Sequence, residues 1–270
     1  MESLHYMLLP AAACFVLAGI HAYLGIHVLA RNVIFVDLAL AQISALGYAV
    51  AFLQGYDPHS IQAYALSLAF TVGGAALFAL SRMRKSGQPQ EAFIGVIFVV
   101  AGAAAVLVLD KAPHGAEHLK ELLEGSIVWV RSGEVIKIAA IYAAISLIHF
   151  AFRRPFFEIT FQPDEAGRRG LRIRWWDFLF YATFGIVVTS SVQVAGVLLV
   201  FTFLIVPALI SSLFFDRFRT RLLFGWSLSF ALSLLGLWLS YDRPSGPMII
   251  TLMGAALLAA AIVRQRRGPA

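Results

Sequence analysis

The chain has 270 residues, of which 60% are apolar and 13% charged, and it carries a formal net charge of +6 with a mean hydropathy of +0.81. An ordinary soluble domain has about 25% charged and about 45–50% apolar residues, so the composition excludes a soluble globular fold and a disordered chain. It predicts an all-α polytopic membrane protein with basic residues at the membrane edges, which also argues against nucleic-acid binding. The single cysteine, Cys14, excludes an internal disulfide and a cysteine-rich metal site.

Apolar runs of about 20 residues, the length needed to cross the hydrocarbon core of a bilayer, predict separate spans along the chain. In chain order they are Tyr6–Leu29, Val33–Leu53, Ile61–Leu80, Ala92–Leu109, Val135–Phe152, Leu222–Ser240 and Met248–Val263. A further run, Phe178–Phe214, is apolar except for the polar stretch 189–193, which is long enough for a turn but leaves short arms on both sides. Its length alone allows one crossing or two, and therefore eight or nine helices.

Groups of basic residues between the spans decide the number of crossings. The groups are Arg31; Arg82, Arg84 and Lys85; the arginines of 153–174; Arg217, Arg219 and Arg221; and Arg264, Arg266 and Arg267. The positive-inside rule puts all of them on the cytoplasmic side, so an even number of spans separates each group from the next and Phe178–Phe214 crosses twice. We therefore expect nine spans in one transmembrane domain, 1–270, in the inner or plasma membrane, with the N-terminus outside and the C-terminus in the cytoplasm.

Two loops are longer than simple connections. The cytoplasmic loop 153–176 is mixed in charge, and Pro163, Asp164 and Glu165 predict the start of a short helix suited to docking a cytoplasmic partner. The outer loop 110–133 has apolar and acidic residues at helical spacing, which predicts an amphipathic helix on the membrane surface. The apolar positions are Leu119, Leu122, Leu123 and Ile127, and the acidic ones are Glu117, Glu121 and Glu124.

Polar side chains inside predicted spans are costly in lipid and are therefore candidates for function. The first two spans hold four of them, His21, His27, Asp37 and Gln42. Asp37 has an alternative role as a carboxylate near the interface, satisfied by Arg31, Asn32 or water. Gln42 could instead form an interhelical hydrogen bond, and the histidines could be buried core residues. Because the histidines are six residues apart, they face directions about 120° apart and cannot bind one ion without another helix.

In the outer loop, residues 114–118 read His-Gly-Ala-Glu-His and match the H-x-x-E-H pattern of some zinc hydrolases. A hydrolase would also need a third metal ligand and a substrate cleft, so a membrane metallohydrolase rests on this match alone. The other interpretations are that His114, Glu117 and His118 attract a divalent cation at an entrance, or that they are solvated loop residues.

Four segments resemble, in the same order, signature segments of the permease subunits of zinc, manganese and iron ABC importers. They are 25–47 (GIHVLARNVIFVDLALAQISALG), 122–130 (LLEGSIVWV), 194–208 (VAGVLLVFTFLIVPA) and 241–247 (YDRPSGP). The sequence has no Gly-Lys dipeptide, so it cannot form a Walker A phosphate loop. ATP hydrolysis by that route would need another polypeptide, which agrees with the resemblance.

The resemblance implies a type II importer fold, like that of the cobalamin-importer permeases, and a homodimer of this subunit around a central pathway. It also implies a cytoplasmic ABC ATPase dimer, which binds the ATP, and an extracytoplasmic metal-binding protein that delivers the ion. The chain itself would be no enzyme and would hold no permanent cofactor. The transported ion would be a divalent transition metal, zinc first, with manganese or iron as alternatives. Segment 161–170 matches the position of the coupling helix, and its charged residues are Asp164, Glu165, Arg168 and Arg169.

The second helix departs from the family pattern. Family members typically carry Asp-x-x-x-His there, and counting back from Gly47 these positions are Leu38 and Gln42 in this chain. Asp37 precedes the expected acid by one residue, a rotation of about 100°. We expect either a weaker pathway site of Asp37 and Gln42, with a histidine of the first span contributing, or a different way of handling the ion. A proton-coupled secondary metal transporter, with these groups as a proton relay, is the alternative function.

Overall fold

The computed structural model describes residues 2–57, 60–81, 90–112, 127–240 and 242–266 together with positions 115, 117, 120, 123 and 125. Across these residues the regular structure is helical, and no strand is found. The helices are α1 (Glu2–Ala30), α2 (Val36–Leu53), α3 (Ile61–Ser81), α4 (Gln90–Leu109), a 3-10 turn (Ile127–Trp129), α5 (Ser132–Ala151), α6 (Arg153–Phe161), α7 (Pro163–Arg168), α8 (Ile173–Ala195), α9 (Val197–Phe214), α10 (Phe218–Leu239) and α11 (Ser245–Arg266). In this described part of the chain, nine helices, all except α6 and α7, are long and apolar enough to cross a membrane, which confirms the predicted count.

The boundary between the two spans of Phe178–Phe214 lies at Gly196. The sequence-based prediction of a turn at 189–193 was wrong, because hydroxyls there bond back to their own helix. Ser190, for example, donates to the carbonyl oxygen of Ile186 at 2.7 Å, so the helix continues without an unsatisfied group. Gly196 has a φ of 76° and a ψ of 160°, a combination that is essentially restricted to glycine. Backbone conformation, and not side-chain polarity, therefore ends α8.

Contacts divide the chain into two compact units. One consists of Met1–Leu29, Leu123–Tyr142 and Gln193–Ala270, and the other of Ala30–Leu122 and Ala143–Val192. In the first unit α9 packs against α10 and α11, which also contact each other. A β-carbon at Gly236 of α10 would lie 2.5 Å from Cγ1 of Ile249 in α11, so glycine is what lets these two helices approach.

In the second unit α2 packs against both α3 and α4. A β-carbon at Gly47 of α2 would lie 2.6 Å from the Cα atom of Ser67 in α3. Hydroxyl groups also form hydrogen bonds between helices. The Oγ atoms of Ser44 in α2 and Ser67 in α3 lie 2.8 Å apart. The Oγ1 atoms of Thr71 in α3 and Thr189 in α8 lie 3.0 Å apart. Small residues and hydroxyl hydrogen bonds together hold α3 against α2 and α8.

The structure describes the two long loops to different extents. In 153–176 the chain forms α6 and then α7, which begins at Pro163 with two acids in its first turn, as the sequence predicted. Helix α6 was not predicted. The amphipathic stretch of the outer loop 110–133 lies largely outside the described residues, and its last part forms the 3-10 turn.

We expect Gly196→Ala to destabilise the protein, because a β-carbon strains the backbone conformation that joins α8 to α9. The expected loss is about 1–3 kcal/mol in the free energy of unfolding, seen as a lower melting temperature of the detergent-solubilised protein. Gly73→Ala in α3 is the matched control, since a β-carbon at Gly73 meets nothing within 4 Å and alanine favours a helix more than glycine does. Equal melting temperatures for Gly196→Ala and the wild type would contradict this explanation of the boundary.

Candidate functional site

Asp37 lies in the first turn of α2 and is almost completely buried, with 1% of its surface exposed. Among the described residues, its Oδ1 has no hydrogen-bond partner. Burial of a carboxylate in this way is expensive, because the water that would solvate it is removed and no hydrogen bond from the described residues replaces it at Oδ1. Sequences keep such groups mainly where function requires them, so Asp37 is the leading candidate for contact with a cation.

Arg31 binds Asp177 and not Asp37, so one of the alternatives left open by the sequence is wrong. Its Nη1 donates to Oδ1 of Asp177 in α8 at 2.8 Å, and its Nε donates to the hydroxyl of Thr160 in α6 at 3.0 Å. The guanidinium carbon also lies 4.0 Å from the ring centroid of Phe180. The side chains of Arg31 and Asp177 are 4% and 0% exposed, so the pair is a buried ion pair between the turn before α2 and α8.

Glu91, in the first turn of α4, holds the N-terminal end of α2. Its Oε1 accepts a hydrogen bond from the backbone N–H of Phe35 at 2.9 Å. The first N–H groups of a helix have no partner within the helix, and the N-cap residue Phe35 makes no side-chain cap, so a group from another helix takes that role. Neither Asp177 nor Glu91 was predicted, because a charge at the edge of an apolar run is ordinary. The one sequence feature that could have pointed to Asp177 and Glu91 is that both are acidic residues at membrane edges where arginine predominates.

Gln42 lies five residues after Asp37 on α2, and it faces α4. Its side chain is nearly buried, and a β-carbon at Gly102 of α4 would lie 3.3 Å from its Oε1, so the glycine leaves room for the amide. Five residues correspond to a rotation of about 140° and a rise of about 7.5 Å. Helix α2 therefore presents Asp37 and Gln42 at different levels and in different directions.

The two histidines lie on α1, are fully buried and have different surroundings. His21 donates its Nδ1–H to the carbonyl oxygen of Leu17 at 2.8 Å, one turn earlier in the same helix. The ring of His27 packs against Tyr23 and Phe218, with centroids 4.8 and 5.6 Å away. In the described structure His21 is thus oriented by the backbone of α1, whereas His27 belongs to an aromatic cluster.

The other predicted site residues are exposed or lie outside the described residues. His114 and His118 lie outside them, and Glu117 is exposed. The predicted coupling residues Asp164, Glu165, Arg168 and Arg169 are exposed on α7 and at its end. Nη1 of Arg169 donates to Oε1 of Glu158 in α6 at 3.0 Å, which ties the end of α7 to α6. Within the described ranges, no group of three or more His, Cys, Asp and Glu side chains is placed to hold a metal ion.

The two candidate side chains of α2 each offer an oxygen ligand, a carboxylate oxygen from Asp37 and an amide carbonyl oxygen from Gln42. Oxygen ligands of this kind suit magnesium, calcium and manganese better than softer metals. Such cations take six or more ligands, so α2 alone would leave most of the coordination to water or to other elements. Because Asp37 and Gln42 lie at different levels and face different directions, each would contact a passing cation singly and not as a joint site.

Most of the chain matches one known family and its relatives. Residues 3–264 match the ABC 3 transport family. The manganese transport system membrane protein MntB of Synechocystis sp. is 28% identical over 220 residues, which cover 78% of this chain and 71% of that protein. A probable iron transport system membrane protein of Haemophilus influenzae is 28% identical over 211 residues, which cover 77% of this chain and 75% of that protein.

The fold is also that of a solved structure. PsaBC from Streptococcus pneumoniae, in complex with Fab, superimposes with a TM-score of 0.79 at 19% identity, over 95% of this chain and 91% of that chain. At this identity the similarity shows the fold alone, which is the type II ABC permease fold. Because the family match extends over nearly the whole sequence, this multi-pass membrane protein belongs to the ABC 3 transport family of ABC transporter permeases.

Proposed function

We propose that this permease forms the membrane pathway of an ATP-driven importer of divalent transition-metal ions. The observation that carries the proposal is the buried carboxylate of Asp37, whose Oδ1 has no partner among the described residues. An ionisable side chain kept in this state inside a membrane helix is typical of an ion pathway. The relatives named for manganese and iron transport support a metal ion as the transported substrate.

Manganese is the ion that we place first, before iron and zinc. The sequence alone had favoured zinc. The two candidate side chains on α2, Asp37 and Gln42, offer oxygen ligands, and manganese accepts oxygen ligands more readily than zinc, which prefers nitrogen and sulfur. The MntB relative is named for manganese transport, which supports the same choice. Zinc would need imidazole ligands, and a contribution from His21 or His27 stays a prediction.

The proposal includes three protein partners. A second copy of the chain completes the pathway, a cytoplasmic ABC ATPase dimer drives transport, and an extracytoplasmic metal-binding protein delivers the ion. In this arrangement the N-terminus is outside, the C-terminus is in the cytoplasm, and the outer residues His114, Glu117 and His118 attract the arriving cation. We name α6 and α7 (Arg153–Arg168) the docking segment, because the exposed acids Asp164 and Glu165 lie there on the side predicted to meet the ATPase.

We expect ATP-dependent manganese uptake by proteoliposomes that contain this chain and its ATPase, at a higher rate than zinc or iron uptake at equal free-ion concentration. Ion accumulation is measured with ATP, with ADP and in vesicles without the chain. Uptake that needs no ATP and follows a proton gradient would replace this proposal with a proton-coupled secondary transporter. ATP-driven uptake of zinc without manganese would keep the importer and restore the sequence-based choice of ion.

We expect Asp37→Asn to lower ATP-dependent uptake by at least about 10- to 100-fold, the loss typical when even a supporting group of a metal site is removed. The melting temperature should stay equal or rise, because asparagine carries no charge and Oδ1 has no hydrogen bond from the described residues to lose. Gln42→Leu should lower uptake by a smaller factor, since Gln42 is neutral. Asp57→Asn, at an exposed acid beyond the other end of α2, is the control and should leave uptake unchanged. Normal uptake by both Asp37→Asn and Gln42→Leu would remove α2 from the pathway.

We expect the double substitution Asp164→Ala and Glu165→Ala to weaken binding of the ATPase by about tenfold or more, because both acids are exposed on the docking segment and would form charge pairs at the interface. The measurement is the amount of ATPase that co-purifies with the permease at two salt concentrations. Asp242→Asn removes an exposed acid on the predicted outer side and is the matched control. Unchanged co-purification of the double variant would show that docking does not depend on these acids.

A further inference from the structure

One guanidinium joins three elements of the second unit. Arg31 lies in the turn before α2, and its Nη1 binds Asp177 of α8 at 2.8 Å. Its Nε binds Thr160 of α6 at 3.0 Å, and its carbon lies 4.0 Å from the ring centroid of Phe180 in α8. Because a guanidinium is planar and its donors form a rigid fork, these contacts fix both its position and its orientation. A displacement of α6 must therefore either move Arg31 or break its bond to Thr160.

The burial of the Arg31–Asp177 ion pair is poorly explained by a contribution to the stability of the protein alone. The side chains of Arg31 and Asp177 are 4% and 0% exposed, and a buried ion pair is often no more stabilising than apolar residues of similar volume. Nη2 of Arg31 is also buried and has no hydrogen-bond partner among the described residues, which adds a desolvation penalty. Charged groups kept under such conditions point to a role in positioning or in specificity.

The contacts of Arg31 connect the docking segment with the candidate pathway residue. Thr160 lies in the last turn of α6, three residues before α7 begins. Arg31 precedes Asp37 by six residues. It is the first residue of the short turn 31–35, and α2 begins directly after that turn. Glu91 of α4 binds the backbone of the same turn, so the turn is held from two sides.

We propose that Arg31 is a positioning residue that transmits a displacement of the docking segment to the first turn of α2. The inference rests on the proposed function, because it requires an ATPase bound at the docking segment. When the ATPase displaces α6, the bond from Thr160 carries the guanidinium with it, and the turn before α2 moves Asp37. Asp177 supplies the counterion that keeps the charge of Arg31 neutralised during the movement. Arg31 itself does not contact the transported ion.

The test uses the complete transporter in proteoliposomes and compares Arg31→Gln, Asp177→Asn and the double variant with the wild type. Each single variant leaves one buried charge without its counterion, so its melting temperature should fall. The double variant removes both charges, so its melting temperature should return toward the wild-type value. The number of ions taken up per ATP hydrolysed should nevertheless stay about 2- to 30-fold below the wild type, which is the range of effects for substitutions along a coupling path.

Two threonine variants separate the bond to α6 from a general loss of a buried hydroxyl. Thr160→Val removes the bond from Nε of Arg31 and leaves the ion pair with Asp177 in place. Thr71→Val is the matched control, because the buried hydroxyl of Thr71 in the same unit lies 3.0 Å from that of Thr189 in α8 and is not a partner of Arg31. We expect similar melting temperatures for the two variants and a lower ion-to-ATP ratio for Thr160→Val alone.

A double variant with a restored melting temperature and a wild-type ion-to-ATP ratio would overturn the proposal, because the pair would then be structural only. Equal ratios for Thr160→Val and Thr71→Val would overturn it as well. If the charge variants fail to fold, the threonine pair still decides. If the wild-type transporter itself takes up no ion with ATP, the proposed function is refuted and this inference falls with it.

Discussion

Inside the membrane no water is available, so each polar group there has to be satisfied by the protein itself, and the other features of the structure follow from this requirement. The hydroxyls of the described helices meet it in two ways. Some bond back to their own helix, as Ser190 does to Ile186, and others bond to a neighbouring helix, as Ser44 does to Ser67. Bonds of the second kind need short distances between helix axes, which is why Gly47 lies against Ser67 without room for a β-carbon. The hydrogen bond between Ser44 and Ser67 therefore depends on the close packing of α2 against α3.

Two charged groups near the start of α2 differ in how they meet the same requirement. Arg31 is neutralised by Asp177, and the pair is closed to water. The Oδ1 atom of Asp37 has no such partner among the residues that the structure describes. One group is paired within the protein, and the other is the candidate for contact with a ligand. The contrast separates a charge that has a counterion within the protein from a candidate ligand for a cation more clearly than burial does, because both are buried.

The membrane spans could be predicted from the sequence, and the candidate site could be predicted only in part. The length of an apolar run reflects the thickness of the bilayer, and arginines mark the membrane edges, so the nine spans found among the described residues were predictable. Asp37 and Gln42 stood out because polar residues are rare in such runs. The end of α8 at Gly196 was not predictable, since it depends on backbone angles that polarity does not report. The partner of Arg31 lies 146 residues away, and no local pattern connects positions so far apart.

The place of Asp37 at the beginning of α2, and not in its middle, has an electrostatic consequence. The backbone dipoles of a helix add up to a partial positive charge at its N-terminus, which favours a carboxylate there and opposes a cation beside it. A metal ion next to Asp37 would be attracted by the side chain and repelled by the end of the helix that bears it. Its dwell time at this position would therefore be shorter than beside an equally buried carboxylate in the middle of a helix. In a pathway that must release every ion before the next one enters, a short dwell time permits rapid turnover.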